Sequence, residues 1–153
     1  MKYFLITAIS IILLSGCSYQ NAFSKFDMTH KEELLASNTQ SSKVQTKESV
    51  KGVFTAIYLN NVDEEYADDN ENFIVGVYMK NSKEQYNFKL NQKLPLYMEK
   101  IEDINDYSEL VKHPRKWDIY YFVRFQNSGR KIDFSLESDR LSSAVLHFLK
   151  DPL

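Results

Sequence analysis

The clearest strand pattern in the chain is Trp117-Asp118-Ile119-Tyr120-Tyr121-Phe122-Val123-Arg124-Phe125. Successive side chains of a β-strand point to opposite faces, so one face of this segment carries only large apolar residues. The residues of that face are Trp117, Ile119, Tyr121, Val123 and Phe125. The pattern predicts a strand packed on a core, with Trp117 buried in it.

Four other segments, on both sides of this one, predict strands of two kinds. Residues 53–59 and 73–79 are apolar on both faces, which is typical of central strands. Residues 86–90 and 132–136 alternate strictly between apolar and polar, which indicates one buried and one solvated face.

The remaining candidates are less regular. Residues 94–98 contain Pro95, which favours a strand start or an edge strand. Residues 144–149 predict either a last strand or a short terminal helix. Asn127-Ser128-Gly129 predicts a hairpin loop. Residues 101–116 form the one long interruption, with a helical turn expected near 105–111.

About seven strands over residues 50–153 predict an all-β domain, most simply an antiparallel two-sheet sandwich of the immunoglobulin-like kind. A small barrel is the alternative. The composition agrees, since 10 Tyr and 10 Phe stand against 4 Gly and 3 Pro. The chain has a single cysteine, Cys17, so no disulfide can join the sheets and packing alone must hold them.

Residues 17–49 are mostly polar and predict a flexible tether, because such a segment buries too little apolar area to offset its ordering entropy. One short helical island is expected near residues 30–36. There, Thr29 and Glu32 have the spacing of a capping box, in which each side chain accepts a hydrogen bond from the other's backbone.

The start of the chain has the order of a secretory signal peptide: Lys2, an apolar run over residues 3–14, and then small residues. Leu14-Ser15-Gly16-Cys17 resembles the lipobox of bacterial lipoproteins. The resemblance covers residues 1–17 only. It implies removal of residues 1–16 and attachment of acyl chains, including a diacylglyceryl group on the Cys17 sulfur, which anchor the chain to a membrane.

The same resemblance implies a location in the bacterial envelope. Ser18 follows the cysteine, whereas an aspartate at this place retains lipoproteins on the inner membrane of enteric bacteria. The expectation is therefore an outer-membrane lipoprotein that faces the periplasm or the cell surface.

Two charged segments are candidates for sites. An acidic run could supply oxygen ligands to Ca²⁺, but its spacing does not fit an EF-hand, and a solvated loop is the favoured interpretation. A basic and aromatic segment predicts an interaction surface for an acidic partner or lipid headgroups, again against a solvated loop. The acidic residues are Asp63, Glu64, Glu65, Asp68, Asp69 and Glu71, and the interaction residues are Arg115, Lys116, Trp117, Tyr120 and Phe122.

The chain contains no recognisable catalytic, phosphate-binding or cofactor-binding motif, so we expect neither an enzyme nor a bound cofactor. A net charge of −2 argues against nucleic acid as a partner. The expected function is a non-enzymatic interaction or assembly module that binds another envelope protein. The alternatives are a carrier or sensor of a small apolar ligand and a surface-exposed adhesin.

Overall fold

The computed structural model describes residues 28–81 and 83–150. Within these residues one helix, α1, precedes nine strands, and short 3₁₀ turns lie at Leu59–Asn61, Glu64–Tyr66 and Ile104–Tyr107. The elements are α1 His30–Ser37, β1 Thr39–Gln45, β2 Val50–Tyr58, β3 Asn70–Met79, β4 Asn87–Leu90, β5 Tyr97–Lys100, β6 Ile119–Gln126, β7 Lys131–Glu137, β8 Ser142–Ser143 and β9 Leu146–Leu149.

The strands form one antiparallel sheet with the order β4-β7-β8-β1-β2-β3-β6-β5, and β9 also pairs with β7. The all-β prediction is confirmed, with nine strands instead of seven. β2 and β3 are central, as their apolar faces predicted, while β4 and β5 end the sheet. Because the sheet is strongly curled, its two ends face each other across a concave interior.

Aromatic rings fill that interior. Phe134 on β7 contacts rings from both ends of the sheet: Phe73 with ring centroids 4.8 Å apart, Phe125 at 5.6 Å, Phe88 at 5.9 Å and Phe54 at 6.0 Å. All five side chains are buried. This cluster is the main core of the protein.

A second apolar layer covers the convex face of β2, β3 and β6. Leu35 of α1 and Leu110 of the 101–116 segment pack there with Ile57 and Ile74 of the sheet. This explains why β2 and β3 are apolar on both faces: each face has its own cover. Tyr58, however, points into the main core and not into this layer.

The predicted tether extends too far along the chain. Residues 39–45 form β1, which lies inside the sheet between β2 and β8, so the domain does not begin at residue 50. Its only buried apolar side chain is Val44, and Ser41 pairs instead with Thr55 through their hydroxyls at 2.7 Å. The strand is held mainly by backbone pairing, which leaves no apolar pattern in the sequence.

The predicted capping box is confirmed. Thr29 Oγ1 accepts a hydrogen bond from the Glu32 amide at 3.3 Å, and Glu32 Oε2 accepts from the Thr29 amide at 2.8 Å. Both bonds satisfy amides that the first turn of a helix leaves unpaired. The capping box lies at the start of α1, and Leu35 of this helix packs on the convex face of the sheet.

The predicted hairpin at residues 127–129 is wrong. β6 and β7 do not pair with each other, and Gly129 does not have the positive φ that a tight hairpin turn requires. The loop instead crosses from one half of the sheet to the other. It is tied there by Glu71, whose Oε1 accepts a hydrogen bond from the Ser128 amide at 2.9 Å.

Two further predictions concern strand ends. β6 starts at Ile119, so Trp117 lies before the strand and is 66 % exposed, not buried as its pattern suggested. At the C-terminal end, the strand alternative is correct, because Leu146–Leu149 pairs with β7 as β9.

Candidate interaction surface and groove

Most of the exposed large apolar side chains lie along β5 and near the start of its neighbour β6. In the described part of the chain, nine large apolar residues are exposed, and six of them lie on β5, within three residues before it, or within two residues of the start of β6. We call these six the β5 edge patch: Leu94, Leu96, Tyr97, Met98, Trp117 and Ile119. Clusters of this kind on a folded domain mark interaction sites more often than scattered residues do.

The patch coincides with an open sheet edge. β5 pairs on one side with β6, over Tyr97↔Arg124 to Lys100↔Tyr121, and has no strand on its other side within the described residues. In an antiparallel pair, alternate residues bond to the neighbour, and Ile101 donates to Tyr120 O at 2.9 Å. By this alternation, the backbone groups of Met98 and Lys100 point to the open side.

The sequence-predicted interaction residues do not share one surface. Lys116 and Trp117 are exposed, and Arg115 is half-exposed. Tyr120 and Phe122 are half-buried on the convex face, where Tyr120 Oη accepts a hydrogen bond from the Arg115 amide at 2.8 Å. Only Trp117 therefore joins the β5 edge patch.

A groove with a volume of about 460 Å³ lies on the convex face, between α1, the sheet and residues 110–120. Its walls are mostly apolar, with Leu35, Ile57, Ile74 and Leu110 among them. Gly76 forms part of the floor. A β-carbon there would lie 2.8 Å from Tyr120 Cε1, so the absent side chain lets the Tyr120 ring rest directly on β3.

An ion pair lines part of the groove. Arg115 Nε and Nη2 lie 2.9 and 2.7 Å from Asp118 Oδ2, and Nη2 also reaches Thr55 Oγ1 at 3.4 Å. The Asp118 side chain is only 1 % exposed, and its Oδ1 is buried without a hydrogen-bond partner. Burial raises the pKa of Asp118 above its ordinary value, while the Arg115 charge opposes the shift.

The acidic run does not converge on a cation site. Asp63 Oδ2 binds Lys31 at 2.9 Å, whereas Asp68 Oδ1 accepts from the amide of Asn70 at 2.7 Å. Glu71 is not in a solvated loop at all: it belongs to β3, is 0 % exposed, and binds Tyr58 Oη at 2.7 Å and Lys150 Nζ at 3.3 Å. Among the described residues, no three acidic, histidine or cysteine side chains are arranged to hold a metal ion.

Sequence reasoning missed Leu94, Leu96 and Tyr97, together with Met98, Ile119 and Asp118, as site residues. For the first three a signal existed, because Pro95 marked an edge strand and the residues around it were apolar. For Asp118 the signal was a lone charge between Trp117 and Ile119.

Charged residues fix α1 over the groove. Lys31 Nζ contacts Asp63 Oδ2 at 2.9 Å and Glu109 Oε2 at 3.0 Å, and Lys112 Nζ lies 3.5 Å from Glu32 Oε1. The Lys31 hydrogen bond holds the pKa of Asp63 below its ordinary value, and the Thr29 backbone and hydroxyl do the same for Glu32.

These shifts predict that acid loosens α1. A carboxyl with a depressed folded pKa stabilises the fold above its unfolded pKa, about 4, and loses that effect as the pH falls through the folded value. We expect the Leu35 methyl signals in NMR spectra to be constant from pH 7 to 5 and to move towards their undocked positions below pH 4. Lys31→Met should weaken docking at neutral pH. Identical Leu35 signals in the variant and the parent across this range would contradict the prediction.

The lipobox prediction falls outside the described residues, since Cys17 and residues 1–16 precede Met28. Within residues 28–81 and 83–150, no helix is long and apolar enough to cross a membrane.

Comparison of the chain with protein-family models, curated proteins and solved structures gives no match.

Proposed function

We propose that this protein is a lipid-anchored lipoprotein of the bacterial envelope whose β domain binds another protein and catalyses no reaction. The observation that carries the proposal is the β5 edge patch, where six exposed apolar side chains adjoin an open sheet edge. Natural proteins usually protect such edges, since an unpaired strand next to apolar side chains recruits other chains.

The partner that fits this edge is an extended segment of an envelope protein. Such a segment adds a strand beside β5, bonds to the outward backbone groups of Met98 and Lys100, and places one apolar side chain on Leu96 and another farther along, where Met98 and Ile119 line one hollow. The backbone bonds give affinity, and the apolar contacts select the segment.

The immunoglobulin-like two-sheet sandwich is part of the same proposal. Two features support it: the 127–130 loop crosses between halves of the domain, and Phe134 meets Phe73 across the interior. One feature differs from such a sandwich. β8 pairs with both β1 and β7 and joins the two halves into one sheet, whereas the two sheets of a sandwich are separate.

The anchor proposal rests on Leu14-Ser15-Gly16-Cys17 and on Ser18, which favours the outer membrane, with the domain on the periplasmic side or at the cell surface. Helix α1 begins at His30, thirteen residues after Cys17. At no more than about 3.5 Å per residue, that length keeps the domain within about 45 Å of the lipid.

Site-specific photo-crosslinking in intact cells tests the β5 edge. A photoreactive residue at position 98 of the full chain is expected to give a discrete protein adduct. Adding Leu96→Lys should reduce that adduct about tenfold or more, because a lysine cannot be desolvated at an apolar contact.

The matched control is Leu149→Lys, since Leu149 is 66 % exposed and Leu96 63 % exposed but Leu149 lies on β9. This control should leave the adduct unchanged. Absence of an adduct at position 98, or equal loss in both lysine variants, would overturn the proposed edge.

A further inference from the structure

The convex-face groove contains a feature that packing alone does not explain. Asp118 lines it with a side chain that is 1 % exposed, yet Oδ1 has no hydrogen-bond partner while Oδ2 takes both contacts from Arg115. A buried carboxylate oxygen without a partner carries a free-energy cost, and native proteins nearly always satisfy such atoms.

We propose that the groove is a binding site for a small, flat apolar molecule that carries one N–H or O–H donor. The donor bonds to Asp118 Oδ1, and the apolar body rests on Ile57, Ile74 and Leu110. The site goes beyond the proposed function, since it lies on another face from the β5 edge patch and uses none of its residues.

The apolar side chains of the groove walls favour a ligand with an apolar body. Leu35, Ile57, Ile74 and Leu110 come from α1, β2, β3 and the 101–116 segment, so four separate parts of the chain converge on one apolar surface. A volume of about 460 Å³ holds a molecule of one to three fused or linked rings.

The Arg115–Asp118 ion pair determines which polar group the ligand carries. Asp118 offers only acceptors when ionised, and Arg115 already satisfies Oδ2, so an N–H or O–H group is what Oδ1 lacks. An anionic group would instead be repelled by the unpaired Oδ1 of the Asp118 carboxylate. The Arg115 side chain is 41 % exposed and the Asp118 side chain 1 % exposed, so Arg115 is the member of the ion pair that borders solvent.

Indole and 1-methylindole are the probes, because they differ only in the N–H group. We expect titration calorimetry of the full chain in mild detergent to show indole binding about tenfold more tightly than 1-methylindole, the ratio that corresponds to one unsatisfied buried acceptor. Equal affinities, or no binding of indole, would overturn the proposal.

A groove-filling variant locates the binding. Ala36 is exposed on α1 and lines the groove, so Ala36→Phe should abolish indole binding without disturbing the core. Glu33→Phe places the same ring on an exposed position of α1 outside the groove and should bind indole as the parent does. Unchanged binding in Ala36→Phe, or loss in both variants, would assign the indole to another place and refute the site.

Discussion

Phe134→Ala is expected to lower the free energy of unfolding by about 3–5 kcal/mol, which is a large part of the total stability of a domain of this size. Phe134 is fully buried and is the ring on which both halves of the curled sheet meet, with Phe73 and Phe125 on one side and Phe88 on the other. Truncation leaves a cavity that neighbours on several strands cannot fill together. No disulfide offsets the loss, because the chain has a single cysteine.

Denaturant unfolding followed by circular dichroism measures this effect. Trp117→Ala is the control, since it removes a larger aromatic side chain that is 66 % exposed, and its cost should stay within about 0.5 kcal/mol. If the two substitutions cost the same, the aromatic cluster around Phe134 would not be the main core.

Cys17→Ser is expected to release the protein from the membrane almost completely. A serine hydroxyl cannot form the thioether to a diacylglyceryl group, and each buried methylene of an acyl chain contributes about 0.8 kcal/mol of membrane affinity. Fractionation of cells should therefore move the protein from the membrane pellet to the soluble fraction. Labelling with radioactive palmitate should disappear in parallel.

Ser18→Asp is the companion variant, because it keeps the lipidated cysteine and changes only the sorting residue. It should retain the palmitate label and, in an enteric host, shift the protein from the outer to the inner membrane. Palmitate labelling that persists in Cys17→Ser would refute the lipobox interpretation.

The strands that carry their own apolar pattern were predictable from the sequence. β4 and β7 follow from alternations that continue through the strand, as in Ile132, Phe134 and Leu136, and β3 follows from the apolar run over residues 73–79, although the strand begins with three polar residues at Asn70. The α1 start was predictable for a different reason: the Thr29 and Glu32 capping box is a local interaction that needs no tertiary context.

The remaining features depend on contacts distant in sequence. β1 has one core side chain, Val44, and is a strand because β2 and β8 supply partners on both sides. Trp117 continues the β6 alternation, but β6 begins two residues later, where pairing with β3 starts at Ile119. Likewise, the groove exists only because α1 and residues 110–120 meet over Gly76, which no local pattern encodes.

The position of β1 also constrains when the domain can form. The first strand of the sheet pairs with β8, and Gln40 exchanges side-chain hydrogen bonds with the His147 backbone at 2.5 and 3.2 Å. A chain that emerges N-terminus first, from a ribosome or a translocation channel, must therefore hold β1 incomplete until β8 and His147 have appeared. Any factor that binds the emerging chain therefore has about one hundred residues of synthesis, between β1 and β8, in which to act before β1 is paired on both sides.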